Sequence, residues 1–288
     1  MNIVFPELSN PTIQAALERH SEMCNLGNSI PGLTGEMTPV TALPAPDLAT
    51  ACQMVVSGTA DTMIAGIDYF SRDVILACRE YFPMAKQPQL VTPLQVADDF
   101  TSNNSVNNEL YSTFSGLAVM ERGGEIYLLA DMAACKHPTE AQLLEIVSQT
   151  HHSAMKLLNT ESRIALLSFS TNGSGGHDDT ITLMQNVRSA FQDTGILIDG
   201  EMQLDAAINP TVAKKKFPDS QVAGRANVLI APDLNTGNIL YKAFEQLASF
   251  HVAGPILQGF QYPVSDLSRG STIDDIILTI EVMARLAA

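Results

Sequence analysis

Short apolar runs alternate with amphipathic helical patterns along the whole chain, and this alternation constrains the fold most. The runs that predict buried strands are residues 62–66, 126–130, 164–169, 196–200 and 227–231. Between two of them, residues 139–158 open with Thr139 and Gln142 in capping-box spacing, which predicts a helix. The alternation predicts an α/β fold with a largely parallel sheet. Because such sheets bind ligands beyond the carboxyl ends of their strands, we look for chemistry in the loops that follow them.

The charge of the chain limits its partners. The 288 residues are 45% hydrophobic and 16% charged, and the formal net charge is −15. This balance predicts a globular protein that binds no nucleic acid, since nucleic-acid binding depends on cationic neutralisation of phosphates. No apolar stretch approaches the roughly 18 residues of a membrane helix, and the opening "MNIVFPE" predicts a short strand rather than a secretory signal. An anionic ligand needs a locally positive site here, built from arginine, lysine or helix N-termini.

Cysteine and histidine spacing predicts no metal site. The four cysteines, Cys24, Cys52, Cys78 and Cys135, form no C-x-x-C pair, which argues against zinc and disulfides and favours the cytoplasm. The adjacent pair His151 and His152 lies in a predicted helix, where neighbouring side chains point about 100° apart. That geometry is poor for binding one metal ion.

Two loops that follow predicted strands have the composition of anion sites. The first, "STNGSGG" at 170–176, offers hydroxyls and backbone donors; its candidate ligand residues are Ser170, Thr171, Gly173 and Ser174. The second, "PDLNTGNILYK" at 232–242, offers Asn235, Gly237, Asn238 and Lys242, with a helix predicted from about Ile239 and Lys242 one turn in. An ordinary surface loop and an ordinary helix cap remain the alternatives. The basic run at 213–218 favours a solvated helix end over a phosphate contact.

A third stretch, "SDLSRGSTIDDI" at 265–276, places an arginine before a helix. Ser271 is the predicted N-cap and Asp274 the N3 residue of a capping box, with Asp275 in the first turn. Arg269 opposes the helix dipole at this end, which makes sense if an anion lies between its guanidinium and the helix N-terminus. A surface ion pair between Arg269 and Asp275 is the alternative.

These motifs together, in this order, resemble the phosphate acetyl/butyryltransferase family, most closely its acetyltransferase branch. The matching segments, from about Gly124 to the end, are "IALLSFSTNGSG", "IDGEMQLDAAI", "SQVAGRANVLIAPDLNTGNILYK", "GPILQG" and "PVSDLSRGSTIDDI". The resemblance implies two α/β domains like those of isocitrate and isopropylmalate dehydrogenases, an active site in the cleft between them, and a homodimer. We assign residues 1–105 plus 261–288 to the first domain and 106–260 to the second. The Pro-, Asn-, Ser- and Thr-rich stretch 87–112 is the candidate boundary.

The resemblance also implies a reaction, the reversible transfer of an acetyl group between acetyl phosphate and coenzyme A by direct thiolate attack. Coenzyme A is then a substrate, and no permanently bound cofactor is expected. Asp275 would deprotonate the thiol, Arg269 would bind the phosphoryl group, and Ser268 would hydrogen-bond a carbonyl or phosphate oxygen. Gln258 and Gly259 of "GPILQG" join the loop residues as candidate substrate-binding or coenzyme A-binding residues.

One departure from the family pattern leaves alternatives open. The family carries an arginine ten residues after the glycine that matches Gly66, and Leu76 stands there in this chain, between Arg72 and Arg79. Alternatives are a butyryl or branched-acyl transferase and a non-catalytic coenzyme A-binding homologue. A dehydrogenase of the same fold ranks last, since no acidic metal-ligand set or dinucleotide fingerprint is visible.

Overall fold

The computed structural model describes residues 1–87 and 110–288. Nearly all of the predicted boundary stretch 87–112 lies outside the described residues, as does the predicted junction at 105/106. The division into two domains therefore stays a prediction. In the described part of the chain, no helix combines the length and apolar character needed to cross a bilayer.

Ten strands of the described residues form one mixed sheet in the order β2-β1-β3-β10-β9-β4-β5-β8-β6-β7. The strands are β1 Asn2–Phe5, β2 Thr41–Pro44, β3 Thr62–Ala65, β4 Ser115–Arg122, β5 Glu125–Ala130, β6 Arg163–Leu167, β7 Leu197–Met202, β8 Val228–Ile230, β9 His251–Gln258 and β10 Val264–Asp266. Among these ten strands, the pairs β10–β9, β9–β4 and β4–β5 are antiparallel and the others are parallel. The predicted α/β class with a largely parallel sheet is confirmed, and all five predicted strands are present with small shifts at their ends.

The three antiparallel pairs place the carboxyl ends of the strands at two opposite edges of the sheet. Strands β1, β2, β3 and β10 run together and end at one edge, where β9 begins at His251. Strands β5, β6, β7 and β8 run the other way and end at the opposite edge, where β9 ends at Gln258. We call these two ends of the sheet, at which the strands terminate, the β10 edge and the β6 edge; neither name refers to an outermost strand. Loops that follow strands therefore fall into two separate groups.

Nine helices of the described residues cover both faces of the sheet. They are α1 Pro11–Asn25, α2 Leu48–Val56, α3 Ser71–Tyr81, α4 Glu140–Leu157, α5 Asp179–Ala190, α6 Leu204–Ile208, α7 Pro210–Lys216, α8 Leu234–Ala248 and α9 Ile273–Ala287. Helices α1, α4, α5 and α9 pack on one face. Helices α2 and α3, and separately α6 and α8, pack on the other. The result is a three-layer α/β/α arrangement.

Strands covered on both faces explain the uninterrupted apolar runs in the sequence. In β6, Ile164 and Leu166 face the α4 and α5 side, whereas Ala165 and Leu167 face the α6 and α8 side. All four are at most 4% exposed. At roughly 25 cal/mol per Å², burial of such side chains contributes most of the stabilisation of the sheet.

The sequence located one helix start correctly and misplaced another. Helix α4 begins at the predicted capping box of Thr139 and Gln142. Helix α8 begins at Leu234, five residues before the predicted start near Ile239, because the Asp233 carboxylate accepts a hydrogen bond from the Thr236 backbone and caps it. The Asn and Gly residues that indicated a turn lie inside the first helical turns.

Candidate active site

Ser268, in the loop after β10, is hydrogen-bonded to a lysine from a distant helix. Its Oγ accepts a hydrogen bond from Lys242 Nζ at 3.4 Å and another from the Gly270 backbone N–H at 3.4 Å. Because α8 starts at the β6 edge and runs back across the sheet, Lys242, about two turns into the helix, reaches the β10 edge. The sequence predicted Lys242 one turn into the helix; it lies about two turns in because α8 begins earlier than predicted.

Two neighbours hold the Lys242 ammonium in place. Nζ donates to Glu245 Oε2 at 2.9 Å and lies 4.6 Å from the centre of the Tyr241 ring. Burial favours a lower pKa for Lys242, but the Glu245 carboxylate and Tyr241 outweigh it and raise the pKa above its ordinary value. A lysine with a raised pKa remains charged, so Lys242 places a fixed cation beside Ser268.

Arg269 lies exposed beside Ser268 and stacks on an aromatic ring. Its guanidinium carbon is 5.1 Å from the centre of the Phe70 ring, which is itself 62% exposed. Within the described residues the guanidinium donates no hydrogen bond, so its five N–H groups remain available to a ligand. Sequence reasoning missed Phe70; an aromatic at the start of a helix, without a side-chain cap, was the available signal.

A buried glutamate fixes the loop that carries Phe70. Glu7, at the end of β1, accepts hydrogen bonds from the backbone N–H groups of Gly66 at 2.7 Å, Asp68 at 2.5 Å and Tyr69 at 2.8 Å. Gly66 adopts a φ of +107°, where a Cβ would collide with a carboxylate oxygen of Asp266. These contacts hold the loop 66–69 in place, and Phe70 follows it directly, with its ring under Arg269.

Helix α9 begins with a capping box of Thr272 and Asp275, which corrects the predicted cap. The N-cap is Thr272, not Ser271, and the N3 residue is Asp275, not Asp274. Asp275 Oδ2 accepts hydrogen bonds from Thr272 N at 2.8 Å and Thr272 Oγ1 at 2.7 Å. Both Ser271 and Thr272 have cap chemistry, and the sequence alone favoured the first; tertiary contacts of Asp275 select the second. Asp274 instead pairs with Arg19 at 2.7 Å on α1.

The Asp275 carboxylate also connects α9 to β9. Its Oδ1 accepts a hydrogen bond from the Val252 backbone N–H at 2.9 Å and lies 3.7 Å from His251 Nδ1. Asp275 is only 4% exposed, whereas the His251 side chain is 48% exposed. Sequence reasoning missed His251, because nothing in the chain near it indicates that the start of β9 lies beside α9.

Asp266, the last residue of β10, is a buried acid close to the same site. It is 0% exposed, and neither of its oxygens accepts a hydrogen bond from a residue in the described ranges. Burial raises the pKa of Asp266 to about 6; the nearby Ser71 side chain opposes this rise, and the Glu7 charge adds a smaller effect to it. Two residues before Ser268, the fold thus holds a carboxyl group whose neutral form is stabilised relative to that of an exposed aspartate.

At the β6 edge, the predicted loop 170–176 directs its donors inward. Ser170 Oγ donates to Glu201 Oε1 at 2.8 Å, and the Gly173 backbone N–H donates to the same oxygen at 2.7 Å. Burial alone raises the pKa of Glu201, but hydrogen bonds from Gly173, Gln185 and Ser170 outweigh it and lower the pKa below its usual range. Ser170 and Thr171 are at most 4% exposed. Gly173 and Ser174 are exposed.

The start of α8 is likewise occupied by packing contacts. A Cβ at Gly237 would collide with the backbone carbonyl of Asp131, so this buried glycine permits close contact between α8 and the end of β5. Asn238 Nδ2 donates to the Met132 carbonyl at 3.2 Å, and Asn235 is exposed. The Asp131 carboxylate accepts hydrogen bonds from four backbone N–H groups, at Gly116, Ala133, Ala134 and Cys135.

Gln258 and Gly259 belong to a buried polar network at the β6 edge. Gln258 accepts a hydrogen bond from Ser153 Oγ at 2.7 Å and donates to Ser115 Oγ at 3.1 Å and Thr150 Oγ1 at 3.2 Å. Gly259 has a φ of +91°, and a Cβ there would collide with the Thr113 carbonyl. The predicted site residues therefore divide: Ser268, Arg269, Lys242 and Asp275 lie at the β10 edge, where Lys242 contacts Ser268, and the others lie at the β6 edge.

Helix α3 carries Leu76, the residue that departs from the family arginine. Leu76 is 47% exposed. Of the two neighbouring arginines, Arg79 lies over the Phe114 ring at 6.0 Å and Arg72 is exposed. Neither has a described contact with Ser268 or Arg269.

One cluster of potential metal ligands lies away from both edges. His20, Cys24 and Glu281 come together between α1 and α9, where His20 Nε2 lies 2.5 Å from Glu281 Oε1. Glu281 also binds Arg285 and the Thr38 backbone N–H. Because Arg285 already balances the Glu281 charge, these contacts indicate a buried polar network that joins the two helices around the Glu281–Arg285 ion pair.

Comparison with known proteins gives a consistent set of relatives. The family model described as "Phosphate acetyl/butaryl transferase" matches residues 102–284. The phosphate acetyltransferase of Bacillus subtilis is 45% identical over 163 residues, which are 56% of this chain and 50% of that protein. That of Thermoanaerobacterium thermosaccharolyticum is 37% identical over 238 residues, 81% of this chain and 66% of that protein. The chain thus spans about half to two thirds of these relatives.

A solved structure matches over the whole chain. The phosphotransacetylase from Streptococcus pyogenes has a TM-score of 0.74 and 27% identity, covering 100% of this chain and 94% of that one. The match therefore includes β1 to β3 and α1 to α3, where the sequence resemblance was weakest.

Proposed function

Because this chain belongs to the phosphate acetyl/butaryl transferase family, we propose that it transfers an acetyl group reversibly between acetyl phosphate and coenzyme A. The observation that carries the proposal is the hydrogen bond between Lys242 and Ser268 at the β10 edge, with Arg269 next to Ser268 in the chain and Asp275 in the first turn of the helix that follows. Two cations, one hydroxyl and one carboxylate are the groups that a thiol attack on an acyl phosphate needs. Two relatives named phosphate acetyltransferase favour acetyl as the acyl group.

Arg269 binds the phosphoryl group. Its planar guanidinium matches two phosphate oxygens at once, and the Phe70 ring beneath it restricts its movement. As the bond between carbonyl carbon and phosphate oxygen breaks, negative charge moves onto the leaving phosphate. A fixed cation at that position stabilises the transition state more than the ground state.

Asp275 and His251 together take the thiol proton. A free thiol has an ordinary pKa of about 8.5, so only a few per cent is thiolate at neutral pH. Asp275 is buried and accepts three protein hydrogen bonds, whereas His251, 3.7 Å away, is half-exposed. The proton therefore passes to the Asp275–His251 pair on its exposed, imidazole side. The thiolate then attacks the carbonyl carbon, and inorganic phosphate leaves.

Several further expectations accompany this reaction as proposals. Coenzyme A is a substrate, and no permanently bound cofactor takes part. The protein acts in the cytoplasm, in keeping with its four free cysteines, and forms a homodimer. Residues 1–105 plus 261–288 and residues 106–260 form two domains with the active site in the cleft between them.

The experiment that tests the proposed function is a thioester-formation assay. Purified protein is mixed with coenzyme A and with acetyl, propionyl or butyryl phosphate in parallel. The proposal predicts turnover with all or some of these substrates and the highest kcat/KM with acetyl phosphate. Binding of coenzyme A without turnover of any acyl phosphate would contradict it, and a clear preference for butyryl phosphate would correct the substrate.

A further inference from the structure

The hydrogen bonds around Ser268 determine which way its hydroxyl group acts. A serine hydroxyl has one proton to donate and two lone pairs to accept with. Lys242 Nζ and the Gly270 backbone N–H each donate to Ser268 Oγ at 3.4 Å. Neither of these donors can accept a hydrogen bond from the hydroxyl. Both lone pairs are therefore engaged, and the Ser268 proton remains available to a ligand.

A serine engaged in this way is a hydrogen-bond donor rather than a nucleophile. A nucleophilic serine needs a neighbouring base that accepts its proton. Its neighbour here is an ammonium group held by Glu245, at 2.9 Å, and the Tyr241 ring, at 4.6 Å. Such a donor suits an oxygen that gains negative charge, as the carbonyl oxygen of an acyl phosphate does under attack.

We propose that Lys242 is a positioning residue that fixes Ser268 as a hydrogen-bond donor to an oxygen of the acyl phosphate. This inference rests on the proposed function. Lys242 acts through Ser268: it occupies a lone pair, polarises the O–H bond and directs the proton away from α8. The Glu245 carboxylate, which is 12% exposed, keeps the ammonium at this position.

The surroundings of the site explain why this chain needs a cation there. At the family arginine position stands Leu76, and neither Arg72 nor Arg79 has a described contact with Ser268. The acids near the site are Asp275, Glu245 and Asp266, in a chain of net charge −15. Among the described contacts, Lys242 is the lysine that bonds to Ser268, and Arg269 is the arginine in the same loop as Ser268.

The test is a double-mutant cycle with Lys242→Met, Ser268→Ala and both changes together. Lys242→Met should lower kcat by about 10- to 100-fold, the usual effect of losing a hydrogen bond to a charged group, with the KM for coenzyme A unchanged. In the Ser268→Ala background, Lys242→Met should lower kcat by less than about twofold, because the hydroxyl group through which Lys242 acts is absent. Lys242→Arg, which keeps a charged donor, should restore part of the activity.

Lys216→Met is the matched control. Lys216 also pairs with an acid, Asp205, at 2.8 Å, and its side chain is 37% exposed against 39% for Lys242. It lies on α7, away from Ser268, and its loss should leave kcat unchanged. Additive effects of Lys242→Met and Ser268→Ala would overturn the inference while the proposed function stands.

A binding measurement decides the inference even if the protein transfers no acetyl group. The probe is acetonylphosphonate, which carries a carbonyl and a phosphonate but has no acyl group to transfer. Calorimetric titration of the same four proteins should show a weakened Kd for each single variant and no further weakening in the double variant. Unchanged Kd values in both single variants, or additive losses, would refute the role of Lys242.

Discussion

The two edges of the sheet look alike in sequence and differ in what their donors bind. At the β6 edge, the loop 170–176 and the turn after β5 are rich in small residues and backbone N–H groups, as an anion site would be. Their N–H groups and hydroxyls bind the carboxylates of Glu201 and Asp131. At the β10 edge, the Ser268 hydroxyl and the Arg269 guanidinium keep donors that no described residue accepts.

The difference teaches that a loop with many donors is an anion site only if the protein supplies no anion of its own. A buried carboxylate that accepts three or four hydrogen bonds from the protein fixes a loop as firmly as a bound phosphate would. The β10 edge has such carboxylates too, in Glu7 and Asp275, but there they fix the neighbouring backbone and leave Ser268 and Arg269 unoccupied. We expect substrate at the β10 edge.

The largest expected effect is on turnover, from Asp275→Asn. Loss of the carboxylate from the proposed Asp275–His251 proton acceptor should lower kcat by about 10²–10⁴, measured in the thioester assay. Since Asp275 also accepts three hydrogen bonds, an asparagine amide leaves at least one donor unpaired, which costs about 1–3 kcal/mol of unfolding free energy. Denaturant titration measures that part separately.

His251→Gln distinguishes the two roles of Asp275, because it leaves the helix cap intact. It should lower kcat and keep the wild-type unfolding free energy. Wild-type kcat in His251→Gln would remove the imidazole from the proton path, and wild-type kcat in folded Asp275→Asn would remove the carboxylate.

Asp266→Asn tests the buried acid at the β10 edge through the pH dependence of the unfolding free energy. Since the pKa of Asp266 is raised from 3.8 to about 6, the folded protein binds this proton more tightly than the unfolded chain does. Its stability contribution is complete below pH 4 and disappears as pH rises through 6, a loss of up to about 3 kcal/mol. At pH 8 the variant should therefore be more stable than wild type, with the gap closing by pH 4. An equal gap at both pH values would contradict this assignment.

Glu201→Gln tests the β6 edge and should change stability alone. An amide at this position leaves one of the Ser170, Gly173 or Gln185 donors unpaired, at a cost of about 1–3 kcal/mol. Because the pKa of Glu201 is lowered, its stabilisation is present at neutral pH and disappears as pH falls through the folded-state pKa. An increased KM for coenzyme A, with the unfolding free energy of the wild type, would instead show that this loop binds substrate.

The sequence predicted the fold well because periodicity and strand burial are local properties. All five apolar runs became strands, and the capping box at Thr139 started α4. The two edges were not predicted, because three antiparallel pairs around β9 and β4 reverse half of the sheet. The pair Gly123 and Gly124 is a hairpin signal for β4 and β5 that the sequence analysis missed, whereas the pairing of β4 with the distant β9 has no local signal. The loops that follow β6 and β8 therefore lie at one edge, and the loop that carries Ser268 lies at the other.

The site was predictable where motif and chemistry coincide in one segment. Ser268, Arg269 and Asp275 lie within eight residues, so their proximity follows from the chain itself. Phe70 and His251 reach them only through tertiary contacts, and Thr272 replaces Ser271 as the cap because Asp275 also binds Val252. No local pattern carries that information.

The central claim is that acyl transfer takes place at the β10 edge, and one paired measurement tests it most directly. The kcat/KM for acetyl phosphate is measured for wild type, Arg269→Ala and Ser174→Ala, the last an exposed residue of the loop at the β6 edge. The account predicts a loss of about 10²–10³ for Arg269→Ala and less than about twofold for Ser174→Ala. A loss in Ser174→Ala that equals or exceeds the loss in Arg269→Ala would contradict it.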